Sequence, residues 1–239
     1  MRPSLTVEIW SDVVCPWCYI GKRRFETAAA ELRDEVDLQV VFRPYQLDPT
    51  ASPGKSEPVV TAYAKKFGGP ERAAQIIEHV SNVAAGEGLE FHMDKALRAN
   101  TLLAHRLLFL AEAGGQQYAL KERLLQAYFC DGLDIGDPDV LTACAADIGL
   151  PTEAVRAFLD SDDGTAEVRA MLQMAADAEI TAVPTFVLDG RWSIPGAQDP
   201  ETFVTVIRRL LQRRADEAAG PLQPPAEADA ACTDEACDV

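Results

Sequence analysis

Cys15-Pro16-Trp17-Cys18 stands between the run Leu5-Thr6-Val7-Glu8-Ile9-Trp10 and the segment from Tyr19 to Leu32, and this stretch decides how the chain reads. Before the cysteines, Leu5, Val7 and Ile9 alternate with Thr6, Glu8 and Trp10, the period of a strand, and Ser11-Asp12 supply a turn. After them the period changes: Cys18, Gly21, Phe25, Ala28 and Leu32 recur at spacings of three and four, while Arg23, Arg24, Glu26 and Glu31 fall elsewhere on the wheel. The spacing predicts an amphipathic helix whose first turn contains the cysteine pair. Residues 37–43, Asp-Leu-Gln-Val-Val-Phe-Arg, alternate again and predict a second strand. The result is a β-α-β unit, for which a right-handed crossover and parallel strands are expected.

A cysteine where a strand ends and a helix begins lies at the positive end of the helix dipole, near amides with no intrahelical partner, so its thiolate is stabilised there. Cys15 holds that position. Cys18, one turn deeper, can attack a mixed disulfide formed at Cys15, and Pro16 suits the helix start. A bare C-x-x-C also fits a structural zinc site; the strand before it and the helix after it are the context that makes it redox-active. Trp17 reads either as an apolar surface for substrate or as a lid over Cys18. Far along the chain, Ala182-Val183-Pro184-Thr185 precedes the strand Phe186 to Leu188. The plain reading is a strand that starts after a loop; a thioredoxin-like fold would place a cis-proline here, facing the cysteine pair.

Composition narrows the function classes. Among 239 residues, 22 Lys and Arg stand against 38 Asp and Glu, a net charge of −16. A nucleic-acid backbone is repelled by such a chain, so nucleic-acid partners are not expected. Apolar runs such as Leu107 to Ala111 fall far short of the ~20 residues that cross a bilayer, and no membrane association is expected. Glu8 interrupts the N-terminal stretch where a secretory signal needs continuous apolar residues, which leads to a cytoplasmic expectation. Six cysteines, at 15, 18, 130, 144, 232 and 237, are too sparse for a disulfide-built scaffold.

From about 58 to 180 the sequence is helical in pattern, punctuated at Gly68-Gly69-Pro70, Gly86, Gly114-Gly115, Gly136-Asp137-Pro138 and Gly149-Leu150-Pro151, giving roughly six helices. Strand composition returns at Val183 to Gly196, with Asp189-Gly190 as a hairpin turn. A helix from about Asp199 to Arg214, capped by Asp199, follows. Residues 215–239 carry seven acids and no Lys or Arg, a composition that reads as a flexible acidic tail. The fold class expected is α/β. Residues 1–57 and 181–214 are expected to form one α/β domain, 58–180 a helical domain inserted in it, and 215–239 the tail with its Cys232-x4-Cys237 pair. Asp12 reads as a turn or cap residue, His105 as a packed or capping histidine, Cys144 as a small buried hydrophobe, and Cys130 either as similar or as a partly exposed thiol. His79 and His92 have no cysteine at ligand spacing, and no metal site is expected.

Several segments together resemble the FrnE subfamily of DsbA-like disulfide oxidoreductases. They are Ser11 to Lys22, Arg98-Ala99-Asn100-Thr101 with Ala104 to Leu107, Ala127-Tyr128-Phe129 through Gly132 with Ile135-Gly136-Asp137, Val183-Pro184-Thr185-Phe186, and Ile194 to Gln198. The likeness runs from about residue 5 to 214. It implies a thioredoxin fold interrupted by a helical insertion, with Cys15 as nucleophile, Cys18 as resolving thiol, Pro184 shaping the substrate groove and the Val183 backbone pairing with the substrate chain. Pro16 and Trp17 complete the implied substrate surface.

The function expected is thiol-disulfide exchange, as oxidoreductase or isomerase, on protein thiols and disulfides. A thiol or thioredoxin-type system recycles the protein, and there is no cofactor beyond the redox-active Cys15–Cys18 pair and a candidate second pair, Cys232–Cys237. That tail pair lies outside the common family pattern; it reads either as a partner that exchanges with Cys15–Cys18 or as part of a dispensable terminus. Two other readings compete. Kappa-class glutathione transferases and 2-hydroxychromene-2-carboxylate isomerases share the insertion but use a serine at the Cys15 position. A structural zinc module would draw four thiolates from Cys15, Cys18, Cys232 and Cys237.

Overall fold

The structure, a computed structural model, describes residues 2–219. The chain divides into two compact units that part after Val204. Strand β1 (Ser4–Ser11) buries Leu5, Val7 and Ile9, the alternate residues the period singles out, and runs at the centre of a four-stranded sheet. Helix α1 (Pro16–Leu32) carries the chain over to β2 (Asp37–Pro44), which pairs parallel with β1 in the register Leu5 to Leu38 and Ile9 to Phe42. On the other side of β1 lies β5 (Thr185–Leu188), antiparallel, followed by β6 (Trp192–Pro195), so the sheet order is β2-β1-β5-β6.

Asp189 and Gly190 turn the β5–β6 hairpin with positive φ values of 48° and 65°, closed by Arg191 N–H donating to the Leu188 carbonyl. Two consecutive positive φ values suit the twist of a hairpin and favour Asp-Gly. Asp189 also accepts from the Thr6 N–H, which ties the turn to β1. Helix α9 (Pro200–Ala219) starts directly after Asp199 and continues five residues past the expected end at Arg214. Residues 215–219 of the expected tail therefore belong to the helix, and residues 220–239, with Cys232 and Cys237, lie outside the described residues.

Between β2 and β5 the chain forms α2 (Val59–Phe67), α3 (Pro70–Gly86), α4 (Leu102–Ala113), α5 (Gln117–Phe129), α6 (Pro138–Asp147), α7 (Thr152–Asp160) and α8 (Thr165–Asp177). That is seven helices where about six were expected. The additional break falls at Ser161-Asp162-Asp163-Gly164, which has no proline to announce it. Gly164 turns there with φ 73°, and buried Arg106 donates to the carbonyls of Phe158, Ser161 and Asp163 at the end of α7. A cation at a helix C-terminus meets its unpaired carbonyls, so this break is held from outside itself. A ladder of two-residue strands, β3 (Glu57–Pro58) and β4 (Leu97–Arg98), is too short to show in a periodicity reading.

Helix α1 is shared between two packing surfaces. Phe25 stacks on Phe186 of β5 and meets Phe203 edge-on, with centroids 5.4 and 5.5 Å apart. Tyr19 and Ile20, from the same helix, belong to the apolar cluster of the helical segment, where Tyr19 lies 5.9 Å from Phe91 and 6.0 Å from Phe129. Beside the sheet, the Gln117 side chain accepts from the Phe42 N–H at 2.8 Å and donates to the Phe42 carbonyl at 3.0 Å.

Candidate active site

Cys15 is the residue that caps the start of α1, with φ −88° and ψ 114°, and Pro16 is the first helical residue, which loses nothing by lacking a donor there. The Cys15 carbonyl accepts from Cys18 N–H at 3.0 Å, the first turn of the helix. The cysteine side chain turns the other way: its Sγ–H points at the Val183 carbonyl, 3.6 Å away. The Val183–Pro184 peptide is cis. Thus residues 168 positions apart meet, and the reason is local: β1 delivers the Ser11–Val14 turn and β5, its neighbour, delivers the loop before Thr185. Gly21 permits the approach. A Cβ at that position would lie 2.9 Å from Pro184 Cγ and 3.3 Å from Ala197, closer than packed carbon atoms come.

The two thiols are both buried, each 3% exposed. Burial pushes the Cys18 thiol well above its ordinary pKa, and the adjoining Cys15 thiol adds to this; Lys121 works in the opposite direction. Trp17, at 37% exposure, stands out on the surface with its ring 6.1 Å from that of His79 on α3. Leu47 and Val60 are also exposed large apolar residues.

Behind the cysteines lies a polar arrangement. Asp12 is fully buried; its carboxylate accepts from the N–H groups of Val13 and Leu47, both at 2.8 Å. His105 Nε2 lies 3.1 Å from Asp12 Oδ1 and 3.0 Å from the Tyr45 carbonyl. Both neighbours are acceptors, so Nε2 carries the proton. Asp12 is the turn residue expected, and His105 the packed one, yet together they fasten the loop after β2 and helix α4 to the turn that holds Cys15.

Lys121 was not among the expected site residues. It is 1% exposed, and its Nζ finds no hydrogen-bond partner among the described residues. Its signal was present in the sequence: Gln117, Lys121, Leu124 and Tyr128 recur at spacings of four, three and four, so a lysine sits on the buried stripe of α5.

Other residues stay apart from the site. Cys130 ends α5, half-buried, and Cys144 is fully buried on α6; burial raises both thiols above their ordinary range. His92 lies 3.5 Å from Glu90. Among the described residues no group of three or more His, Cys, Asp or Glu is placed to hold a metal, and no helix is long and apolar enough to cross a membrane.

A strand, a helix-capping Cys-x-x-Cys and a proline loop from a neighbouring strand define a recognisable arrangement, and the profile of the DSBA-like thioredoxin domain matches residues 6–208. The chain belongs to the DsbA-like thioredoxin family. This family comprises thiol-disulfide oxidoreductases that act on protein thiols and disulfides. Among solved DsbA-like structures, a probable DsbA oxidoreductase from Streptomyces coelicolor is 36% identical, with a TM-score of 0.78 over 98% of this chain and 99% of that one. An uncharacterised protein of Bacillus subtilis (strain 168), YwbO, is 30% identical over 206 residues, 85% of this chain and 96% of its own. The cytosolic disulfide reductase DsbM of Pseudomonas aeruginosa superposes with a TM-score of 0.62 at 20% identity, over 87% of this chain and 99% of that one, a likeness of fold.

Proposed function

We propose that this DsbA-like protein exchanges disulfides with protein substrates through Cys15 and Cys18, as an oxidoreductase or isomerase of the FrnE subfamily. The observation that carries the reading is the placement of Cys15 Sγ at the start of α1, 3.6 Å from the Val183 carbonyl, with Trp17 exposed beside it. In the reductive direction the Cys15 thiolate attacks one sulfur of a substrate disulfide; that S–S bond breaks and the other sulfur leaves as a thiolate. Cys18 then attacks Cys15 Sγ, the Cys15–substrate bond breaks, and two electrons have passed to the substrate while the pair becomes a disulfide. A thiol or thioredoxin-type donor reduces the pair again, and the oxidative direction runs the same steps backwards. Val183 and Pro184, with Pro16 and Trp17, form the substrate surface. Residues 58–180 act as an insertion domain beside it.

Cys15 argues against glutathione-dependent transferase chemistry of the kappa class, which relies on a serine there. The zinc-module reading leaves the helix after Cys18 and the Val183–Pro184 loop without a role. A cytoplasmic location fits the six sparse cysteines and the cytosolic reductase that shares the fold. The tail pair Cys232–Cys237 belongs to the proposal on its spacing alone, as a second couple that exchanges with the first.

The test is chemical trapping. Cys15→Ser abolishes reduction of a model protein disulfide, and Cys18→Ser accumulates a mixed disulfide through Cys15, detected by mass spectrometry. At pH 6 iodoacetamide labels Cys15 before Cys18; the reverse order sinks the assignment of nucleophile and resolving thiol.

A further inference from the structure

Lys121 has no part in the exchange described above, yet its buried ammonium feels the charge of both reacting thiols. The groups whose charges bear on its ammonium are Cys18, Asp12, Cys15 and, repelling it, Lys22. Its Nζ lies 5.5 Å from the centre of the Phe42 ring. Phe42 and Lys121 also line a crevice of about 250 Å³, counting the mouth, together with Arg43, His105, Glu112 and Gln117. The enclosed part of that crevice has room for about one water molecule, a sufficient link for a proton between a buried amine and solvent.

The other charged groups here have settled partners. Lys22 is bound to Glu26 and Glu122, Arg43 to Glu8 and Glu112, and His105 Nε2 to Asp12 and Tyr45. Lys121 alone among these cations has no acceptor for its protons among the described residues. A buried amine without a partner, within electrostatic reach of a thiol and lining a crevice, is placed to carry a proton.

We propose that Lys121 is the proton donor and acceptor of the Cys18 thiol, passing the proton through the crevice to and from solvent. The inference rests on the exchange reading given above. When the oxidised protein meets a substrate dithiol, a substrate thiolate attacks Cys15 Sγ and the Cys15–Cys18 bond breaks. Cys18 leaves with the electron pair, and the Lys121 ammonium gives it a proton. The neutral amine is recharged from solvent by way of the crevice. In the reductive direction the neutral amine takes the Cys18 proton before that sulfur attacks Cys15.

Burial depresses the amine to about 8, so it changes charge within working pH, while Cys18 titrates well above its ordinary value. A proton therefore passes downhill from lysine to the departing thiolate, and the effect is larger in the direction in which Cys18 leaves.

The experiment follows, by stopped flow, the reduction of the oxidised full chain by dithiothreitol in wild type, Lys121→Met and Lys121→Arg from pH 6 to 9.5. Lys121→Met is expected to slow the reaction on the order of a hundredfold at pH 7, the scale of general acid catalysis. The ratio of wild-type to variant rate falls towards one as pH rises through about 8, where the lysine loses the proton it donates. Lys121→Arg, which keeps the charge but holds its protons too tightly to transfer, does not restore the rate. A ratio that is flat with pH, or full rescue by arginine, overturns the proposal. Should Lys121→Met fail to fold, ¹⁵N-lysine spectra of wild type, with the Lys121 signal assigned by its loss in Lys121→Arg, decide the matter instead. Its midpoint is expected to be lower when Cys15 and Cys18 are oxidised, and an equal midpoint in both redox states overturns the role. A wild-type chain whose Cys15 does not react with the dithiol defeats the exchange reading itself; a reactive wild type with indifferent variants defeats only the lysine's part.

Discussion

Two lysines, Lys22 on α1 and Lys121 on α5, are each 1% exposed, and they are treated in opposite ways. Lys22 donates to Glu26 and Glu122, while Arg23 and Tyr19 bind Glu122, and Tyr118 donates to Glu26 at 2.7 Å with its ring 4.5 Å from the lysine nitrogen. Glu26 is held below the usual carboxylate range, where burial works against it and Lys22, Tyr118 and Arg23 prevail. Lys121 is given neighbours but no acceptor among the described residues. The first lysine fastens α1 to α5 and has no proton to spare. The second gains nothing for the fold, since burying an amine without a partner is unfavourable. What separates a structural from a chemical charge is therefore whether its neighbours complete it, not its depth.

The comparison can be broken most severely from the paired side. Glu26→Ala together with Glu122→Ala takes both acceptors away from Lys22 and leaves it as bare as Lys121, and removing the partners of a buried charge costs about 3–5 kcal/mol. Denaturant unfolding at pH 7 measures the loss; one below about 1 kcal/mol, the scale of an exposed ion pair, shows that the network is decoration.

The complementary change acts on the other lysine. Burial holds Lys121 near 8 where an exposed lysine titrates near 10.5, so the unfolded chain binds the proton more tightly than the folded one. That penalty is present in full below about 8 and vanishes as pH rises towards 10.5. Lys121→Met is thus expected to stabilise the protein at pH 7 by something on the order of 3 kcal/mol, at about 1.36 kcal/mol per pKa unit, and by less at pH 10. Thermal unfolding across that range checks both the sign and the window. A gain in stability joined to slower exchange is the signature of a residue kept for chemistry.

A smaller effect sharpens the contrast from the residue before Lys22, where α1 is held by contact instead of charge. Gly21→Ala drives a methyl against Pro184 and is expected to cost about 1–3 kcal/mol, with a drop in exchange rate because the Val183–Pro184 loop must shift. Equal stability and rate would show the loop to be freely displaceable.

What was legible in the sequence follows from the range of each interaction. The strand, the helix after Cys18 and the loop at Val183–Pro184 are written in local alternation and punctuation, and the sheet brings Cys15 and Val183 together once β1 and β5 are neighbours. The break at Ser161 to Gly164 was hidden because Arg106, half the helical segment away, stabilises it. Asp12 and His105 are each legible singly, as turn and packing residues, but their contact depends on how α4 lies against the β1–α1 turn. Lys121 was visible as a polar residue on an apolar stripe; its neighbours across the fold, which give that oddity meaning, were not.

The amide of Gln117 has a consequence beyond the two hydrogen bonds it makes. Phe42 lies on β2, the outermost strand on that side, whose free N–H and C=O groups would otherwise invite another extended chain to add itself to the sheet. By presenting one donor and one acceptor at strand geometry, Gln117 imitates a neighbouring strand for a single residue and ends the ladder there. A protein of a family that acts on protein thiols and disulfides meets other polypeptide chains. A plug on the sheet edge keeps those encounters away from β2 at Phe42.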